Sequence, residues 1–477
     1  MSKSMRTQVA IIGAGSAGLS ALRRVKQHTN DYVLIDPGPL GTKCARLGCM
    51  PSKALISVAR DYHRRHVFAQ EGIHGAERLA ANVGAVMRHV RALRDHFAGA
   101  MADVTEQLAG DRLIRERATL LAPDRIRAGE MEITADRIIL ATGSRPRIPE
   151  AWRTFGGRIL TSDTIFEQED LPRRIAVVGL GPVGLELGQA LGRLGLEVTA
   201  FSMKDSVGGL TDADVNEAAL HVFSQEFAIH TGAAVELQDM GGALRVIHPE
   251  MEITVDAVLV AVGAVPDVQG LGLEHLGVPL DGRGLPAFDT HTAQIGDLGV
   301  FMAGDADACC PILHEALDEG FIAGHNGSTK GVERFCRRTR LYIVFSDPQI
   351  ATVGQDRLQL ETRAGGFVIG QADYSEQSRA MLELHNRGLV HIYVDRASLQ
   401  LLGAELFCPD AEHLAHELAL AIHNNMTVFD LLEMPFYHPT AEEGLRTALR
   451  DAAGQLADTA APPELSLCGS APEPPLS

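Results

Sequence analysis

The sequence predicts an α/β protein with two dinucleotide-binding βαβ units followed by a smaller α+β domain. Three observations carry that prediction. Residues 7–24, TQVAIIGAGSAGLSALRR, and residues 174–191, RIAVVGLGPVGLELGQAL, share one plan: an apolar strand, a G-x-G-x-x-G turn and a segment of helical period. Each runs on to a second apolar strand, Val33-Leu34-Ile35-Asp36 and Val198-Thr199-Ala200-Phe201. Each unit closes on a further strand signal that ends in glycine, Ile138-Ile139-Leu140-Ala141-Thr142-Gly143 and Val258-Leu259-Val260-Ala261-Val262-Gly263.

The elements follow in chain order. Val9-Ala10-Ile11-Ile12 enters a Gly-rich turn directly and lacks a cleavage site, so it reads as a strand and not as a leader. Gly13 makes the tight turn, Gly15 lets the backbone approach a pyrophosphate and Gly18 lets helix pack on strand, with the anion at the helix N-terminus. Gly179, Gly181 and Gly184 repeat the arrangement. Asp36 stands 23 residues beyond Gly13, where an acid binds the adenosine ribose. At the matching point of the second unit stands Ser202, followed by Met203 and Lys204, which leaves NAD against NADP undecided. Residues 76–108 have the spacing of a long helix. Beyond about residue 340, Leu341–Phe345 and Gly388–Val394 read as strands and residues 411–424 and 440–453 as helices. From about residue 455, Ala, Pro and Ser dominate, the composition of a flexible tail.

Composition narrows the function. A chain of 477 residues suits about three domains of roughly 150 residues each. Its net charge of −18 makes it a poor binder of nucleic acid, which needs clustered cations. No run of about 18 apolar residues is present, so no membrane span is expected. Seven cysteines are sparse for a secreted disulfide scaffold; the expected location is cytoplasmic, and any disulfide there serves chemistry rather than stapling.

The most specific chemical signal is Gly41-Thr42-Lys43-Cys44-Ala45-Arg46-Leu47-Gly48-Cys49-Met50-Pro51-Ser52-Lys53. The two cysteines precede a Pro-Ser helix start and a periodic segment, Ala54 to Tyr62. That helix directs its positive end at the pair, and Lys43, Arg46 and Lys53 add positive charge, all of which favour thiolate. Thiolate is the reactive form in disulfide exchange. Two alternatives stand beside a redox pair. A zinc half-site wants a second Cys/His pair at local spacing, which is missing, and two unrelated buried cysteines require the flanking residues to be accidental.

Taken together the motifs identify a resemblance. Gly13-x-Gly15-x-x-Gly18, Asp36, Cys44-x4-Cys49-x-Pro51-Ser52-Lys53, Ala141-Thr142-Gly143, Gly179-x-Gly181-x-x-Gly184-Leu185-Glu186, Ala303-Gly304-Asp305 and His438-Pro439-Thr440-x-x-Glu443 occur in order over roughly residues 7–455. The chain resembles the FAD-dependent pyridine nucleotide-disulfide oxidoreductases, and within them the dihydrolipoamide dehydrogenase branch. The resemblance implies two Rossmann-like domains and a C-terminal α+β dimerisation domain. Residues 1–150, completed by 271–338, would hold FAD; 151–270 would hold NAD(P); 339–455 would form the interface; 456–477 would be the tail. Cys44 and Cys49 would form a redox disulfide, and Lys53, paired with Glu186, would lie near the flavin. Thr142, Gly143, Gly304 and Asp305 would belong to the FAD site. His438, oriented by Glu443, would be the base that reaches the disulfide across a homodimer interface.

The implied reaction moves electrons from a dithiol, the reduced form of lipoamide or of a lipoylated protein, through the disulfide and FAD to NAD(P). The alternatives are a reductase of another disulfide, of glutathione type, and a flavoprotein transhydrogenase or diaphorase. Thr42 and Arg46 depart from the family's usual Gly and Asn, and Gly263-Ala264-Val265-Pro266-Asp267 departs from its Gly-Arg-x-Pro-Asn, so a divergent branch is expected. Cys309-Cys310 reads as a pair of small buried loop residues, Cys468 as incidental, and no metal site is expected.

Overall fold

The computed structural model describes residues 3–456. The first nucleotide unit is built on strand Lys3–Ile12, which lies parallel between Tyr32–Ile35 and Met131–Leu140 inside a seven-stranded sheet. Val9 to Ile12 and Ile138 to Leu140 are buried without alternation, as parallel strands covered on both faces must be. Far along the chain, Val300–Met302 returns to pair parallel with Met131–Leu140 and completes this sheet. It does so because the chain leaves for a second sheet and comes back.

Helix Ser16–Val25 covers one face and packs on helix Leu313–Ser328. The contact requires glycine: a Cβ on Gly320 would lie 2.2 Å from the Ala17 carbonyl oxygen.

The second unit has five parallel strands, ordered Ala228–His230, Glu197–Phe201, Arg174–Val178, Ala257–Val260 and Ile159–Leu160. A three-stranded antiparallel sheet, Glu236–Asp239, Leu244–His248 and Met251–Val255, shares a core with it through Leu244, Val246 and Val255. The C-terminal unit is a five-stranded antiparallel sheet backed by helices Ala411–His423 and Glu442–Leu456. The mixed α/β architecture therefore matches the expected class.

Two local expectations need correction. The helix expected over 76–108 starts only at Val83, because the Asn82 side chain accepts the Ala85 N–H and caps it; Ala76–Arg78 is a separate 3₁₀ turn. The helix expected from Pro51 starts instead at Cys49 and runs to His63, since Pro tolerates a first-turn position. The expected tail and Cys468 lie outside the described residues.

The second unit is tied to the C-terminal unit by Arg193, whose side chain is only 3% exposed. Its Nε and Nη2 donate to Glu226 at 2.7 Å, and its Nη1 donates to Asp347 at 2.6 Å. Arg193→Leu leaves two carboxylates without their cation. A destabilisation of roughly 3–5 kcal/mol is expected in chemical denaturation; a variant as stable as the parent would refute this role.

Candidate active site

Cys44 lies in a short helix, Lys43–Leu47, and Cys49 is the first residue of the next, with Gly48 between them. Gly48 takes a backbone that ends one helix and starts the other, which folds the two sulfurs together. Both cysteines are free thiols, half-buried, and Cys44 donates its S–H to Cys49. That hydrogen bond pulls Cys49 down to about 7 against the effect of burial, and the Lys53 ammonium and the Cys49 backbone N–H add to it. The same bond, with burial, raises Cys44. The pair is thus differentiated into a thiolate at the helix start and a thiol beside it.

Lys53 is the cation that reaches these sulfurs. Lys43 points elsewhere: its Nζ donates to the Ser144 carbonyl at 2.9 Å and pairs with Asp163 at 3.3 Å. Arg46 donates to the Pro39 carbonyl. The expectation that all three charges act on the thiols is corrected, because two of them are bound to backbone oxygens.

Lys53 Nζ pairs with Glu186 at 2.8 and 3.0 Å and sits 4.5 Å from the centre of the Phe345 ring. Glu186 is buried and also accepts the Phe345 N–H at 2.9 Å. Phe345 was not visible in sequence reasoning; its only local signal is that it closes an apolar strand run.

Thr42 adopts φ 52°, a conformation costly for a β-branched residue, where Gly41 beside it takes φ 112°. Its side chain accepts the Ala45 N–H, capping the helix that carries Cys44. The departure from glycine therefore exchanges backbone strain for a cap.

His438 and Glu443 meet: Nδ1 lies 3.0 Å from both carboxylate oxygens, and Thr440 N–H also donates to Glu443. Burial works against it, yet these donors hold the Glu443 carboxyl below its usual range. The His438 side chain is 70% exposed. Among the described residues, no hydrogen bond joins this pair to Cys44 or Cys49 of the same chain.

The first glycine turn forms a crevice of about 280 Å³ lined by Gly13, Gly15, Asp36, Lys43, Thr142 and Gly143, among others. A Cβ on Gly13 would lie 2.2 Å from the Ala141 oxygen, and one on Gly18 would lie 1.9 Å from the Gly13 oxygen, whereas Gly15 faces open space. Asp36 accepts the Ala14 and Gly38 N–H groups at 2.6 and 2.7 Å. The buried Thr142 hydroxyl has no partner in the protein. Asp305 accepts the Ser144 hydroxyl at 2.7 Å, and Gly304 donates to Glu319. The second turn repeats the first closely: Gly179 would clash with the Ala261 oxygen at 2.4 Å, Gly184 with the Gly179 oxygen at 1.8 Å, and Gly181 is open.

Residues 7–320 match the family model described as pyridine nucleotide-disulphide oxidoreductase, and residues 341–449 match that family's dimerisation domain. The chain belongs to this family. It is 30% identical to the dihydrolipoyl dehydrogenase of Haloferax volcanii over 95% of its own length and 98% of that protein. Among solved structures it resembles LpdA from Mycobacterium tuberculosis, at 26% identity with a TM-score of 0.81, over 93% of this chain and 99% of that one. It shares its fold with the HOCl-induced flavoprotein disulfide reductase RclA from Escherichia coli, at 20% identity and a TM-score of 0.79, over 93% and 99% of the two chains.

FAD and NAD(P) are the cofactors of this family, and the two cradles fit them. In the first cradle the open Gly15, the unpartnered buried Thr142 hydroxyl and the Asp36 carboxylate at the strand end suit a dinucleotide at a helix N-terminus, and in the second the open Gly181 allows the same approach. Cys309 and Cys310 differ from expectation: Cys309 is exposed and Cys310 half-buried, because the loop after Asp307 runs along the surface. Partial burial and the nearby Asp307 push Cys309 up to about 11, so it is a poor nucleophile at neutral pH. Cys336, exposed, and Cys408, buried, lie outside the pair.

In the reduced protein, thiolate absorbance is expected to rise as pH increases through about 7, the Cys49 value. Lys53→Met removes a charge that favours thiolate and leaves Glu186 unpaired. Its midpoint should move up by about one unit or more; an unmoved midpoint would show that Lys53 does not act on Cys49.

Proposed function

We propose that the protein oxidises a dithiol of the dihydrolipoamide type and reduces NAD(P)+, as a homodimer in the cytoplasm. The observation that carries this reading is the differentiated Cys44–Cys49 pair backed by Lys53 and Glu186. Residues 1–150, completed by 271–338, serve FAD, with Gly13, Gly15, Gly18, Asp36, Thr142, Gly143, Gly304 and Asp305 around it; 151–270 serve NAD(P), with Gly179, Gly181 and Gly184. Residues 339–455 join the two copies.

Bound FAD supplies two-electron transfer between the thiol pair and the nicotinamide. The chain's own residues do the rest. With Cys44 and Cys49 joined as a disulfide, His438 of the second copy takes the proton of one substrate thiol, and the resulting thiolate attacks the Cys44 sulfur. The Cys44–Cys49 bond breaks and Cys49 leaves as thiolate, favoured by its helix start and by Lys53. The second substrate thiol then attacks the substrate sulfur of the mixed disulfide, releasing oxidised substrate; Cys44 leaves with the proton that His438 returns, and His438 takes up the proton of the second thiol. Two electrons and two protons have passed from substrate to protein; NAD(P)+ accepts a hydride equivalent and one proton is released. Glu443 orients the imidazole and steadies its cation.

That His438 acts on the second copy is supported by its exposure and by its position in the dimerisation segment. His438→Ala should lower kcat/KM for dihydrolipoamide by roughly 10²–10⁴-fold. Mixing Cys44→Ser chains with His438→Ala chains should restore activity that neither has alone, because one site of each mixed dimer is intact. Absence of recovery in verified mixed dimers would overturn action across the interface. Cys49→Ser should abolish dithiol turnover, and full activity would remove the redox pair.

The nicotinamide nucleotide is selected without the usual acid. Ser202 is buried, and its hydroxyl accepts the Lys204 N–H. With no carboxylate at the ribose 2′ position, the element that repels a 2′-phosphate is missing. Ser202→Glu should therefore raise KM for NADP relative to NAD; an unchanged ratio would place nucleotide selection elsewhere.

A further inference from the structure

The second nucleotide unit carries a cluster that the redox reaction does not use. His230 ends strand Ala228–His230 at the edge of the parallel sheet, while His248 and Glu250 flank the turn between strands Leu244–His248 and Met251–Val255. One potential ligand atom from each residue lies within 4.8 Å of the other two. His230 Nδ1 and Glu250 Oε2 are 3.2 Å apart. For comparison, two ligands about 2.0–2.1 Å from a tetrahedral zinc ion are roughly 3.3 Å from each other.

A simple ion pair between His230 and Glu250 accounts for two of the three residues only. His248 is 4% exposed, yet its Nε2 has no hydrogen-bond partner, and its Nδ1 meets only the Glu250 N–H at 3.4 Å, beyond the usual range. An imidazole left this way in a core costs free energy that a bound cation would remove. Phe201 walls the cluster, its ring centre 5.5 Å from that of His230 and 5.6 Å from that of His248, which keeps water from the buried side. The outer side is open, with the Glu250 side chain 68% exposed, leaving room for water as a further ligand.

The other cluster of metal-binding type, Asp212, Asp214 and His391, also leaves a buried imidazole nitrogen, His391 Nε2, without a partner, but the Asp212 carboxylate is already saturated. Asp212 already accepts the Asp214 and Val215 N–H groups, His391 Nδ1 and the Tyr393 hydroxyl. Its carboxylate is committed to capping a helix.

We propose that His230, His248 and Glu250 form a binding site for a divalent cation of the zinc class. Two nitrogens and one carboxylate oxygen, with one open position, is a ligand set suited to zinc or cobalt and ill suited to magnesium or calcium, which demand oxygen. The site is separate from the thiol pair, so binding requires no cysteine.

The test uses FAD-loaded protein with Cys44 and Cys49 oxidised and the other thiols blocked by N-ethylmaleimide. It is titrated with Co²⁺ and then with competing Zn²⁺. One Co²⁺ per chain should bind with the visible absorption of a four- or five-coordinate ion, and Zn²⁺ should displace it. His230→Gln and Glu250→Gln, both changes at the accessible side of the cluster, should each weaken binding by at least about tenfold, with flavin content and melting curve showing that the variants are folded. Equal affinity in the folded variants, or no binding tighter than millimolar in the parent, would overturn the site.

Discussion

The Lys53–Glu186 pair is the interaction on which the arrangement depends. Lys53 comes from the helix that starts at Cys49, and Glu186 from the helix Pro182–Arg193 of the second nucleotide unit. The same carboxylate takes the N–H of Phe345 at the start of the C-terminal unit. One buried charge thus fixes three parts of the chain at the point where the thiols lie. Such a carboxylate cannot be left alone in a core, so the three parts are held in register by the cost of separating them.

The helix Pro182–Arg193 extends this role along its length. At its far end Arg193 binds Glu226 within its own unit and Asp347 in the C-terminal unit. Glu405 adds a second tie: fully buried in a C-terminal strand, it accepts the N–H groups of Thr211, Asp212 and Arg357 and the Thr211 hydroxyl. Each tie is a carboxylate surrounded by donors, which is how a buried charge becomes tolerable. The result is a rigid frame around cysteines that must change their bonding without moving far.

Much of this was legible in the sequence because the requirements are local. A turn that a Cβ would block by lying 1.9 Å from a carbonyl oxygen demands glycine at Gly18, and the demand recurs at Gly184. The continuous apolar runs at Val9–Ile12 and Val258–Val260 mark buried parallel strands for an equally local reason. The helix limits were less legible. Asn82 and Gly48, not the hydrophobic period, decide where the helices around the thiols begin. The destinations of Lys43 and Arg46 were also hidden, since long side chains choose partners, here Ser144 and Pro39, by proximity in space.

By itself the sequence determined the two glycine-turn units and the cysteine pair, because each rests on spacing along a few residues; the pairing of Glu186 with Lys53 was implied by the family resemblance and met in the fold. Only the tertiary structure decided which thiol becomes the thiolate. That choice depends on the Cys44 S–H reaching Cys49 and on one lysine among three reaching the pair. It also brought His230 to His248 and Glu250, residues whose meeting depends on how an edge strand lies beside a hairpin. Electrostatic effects act through distance in space, and chain separation does not encode that distance.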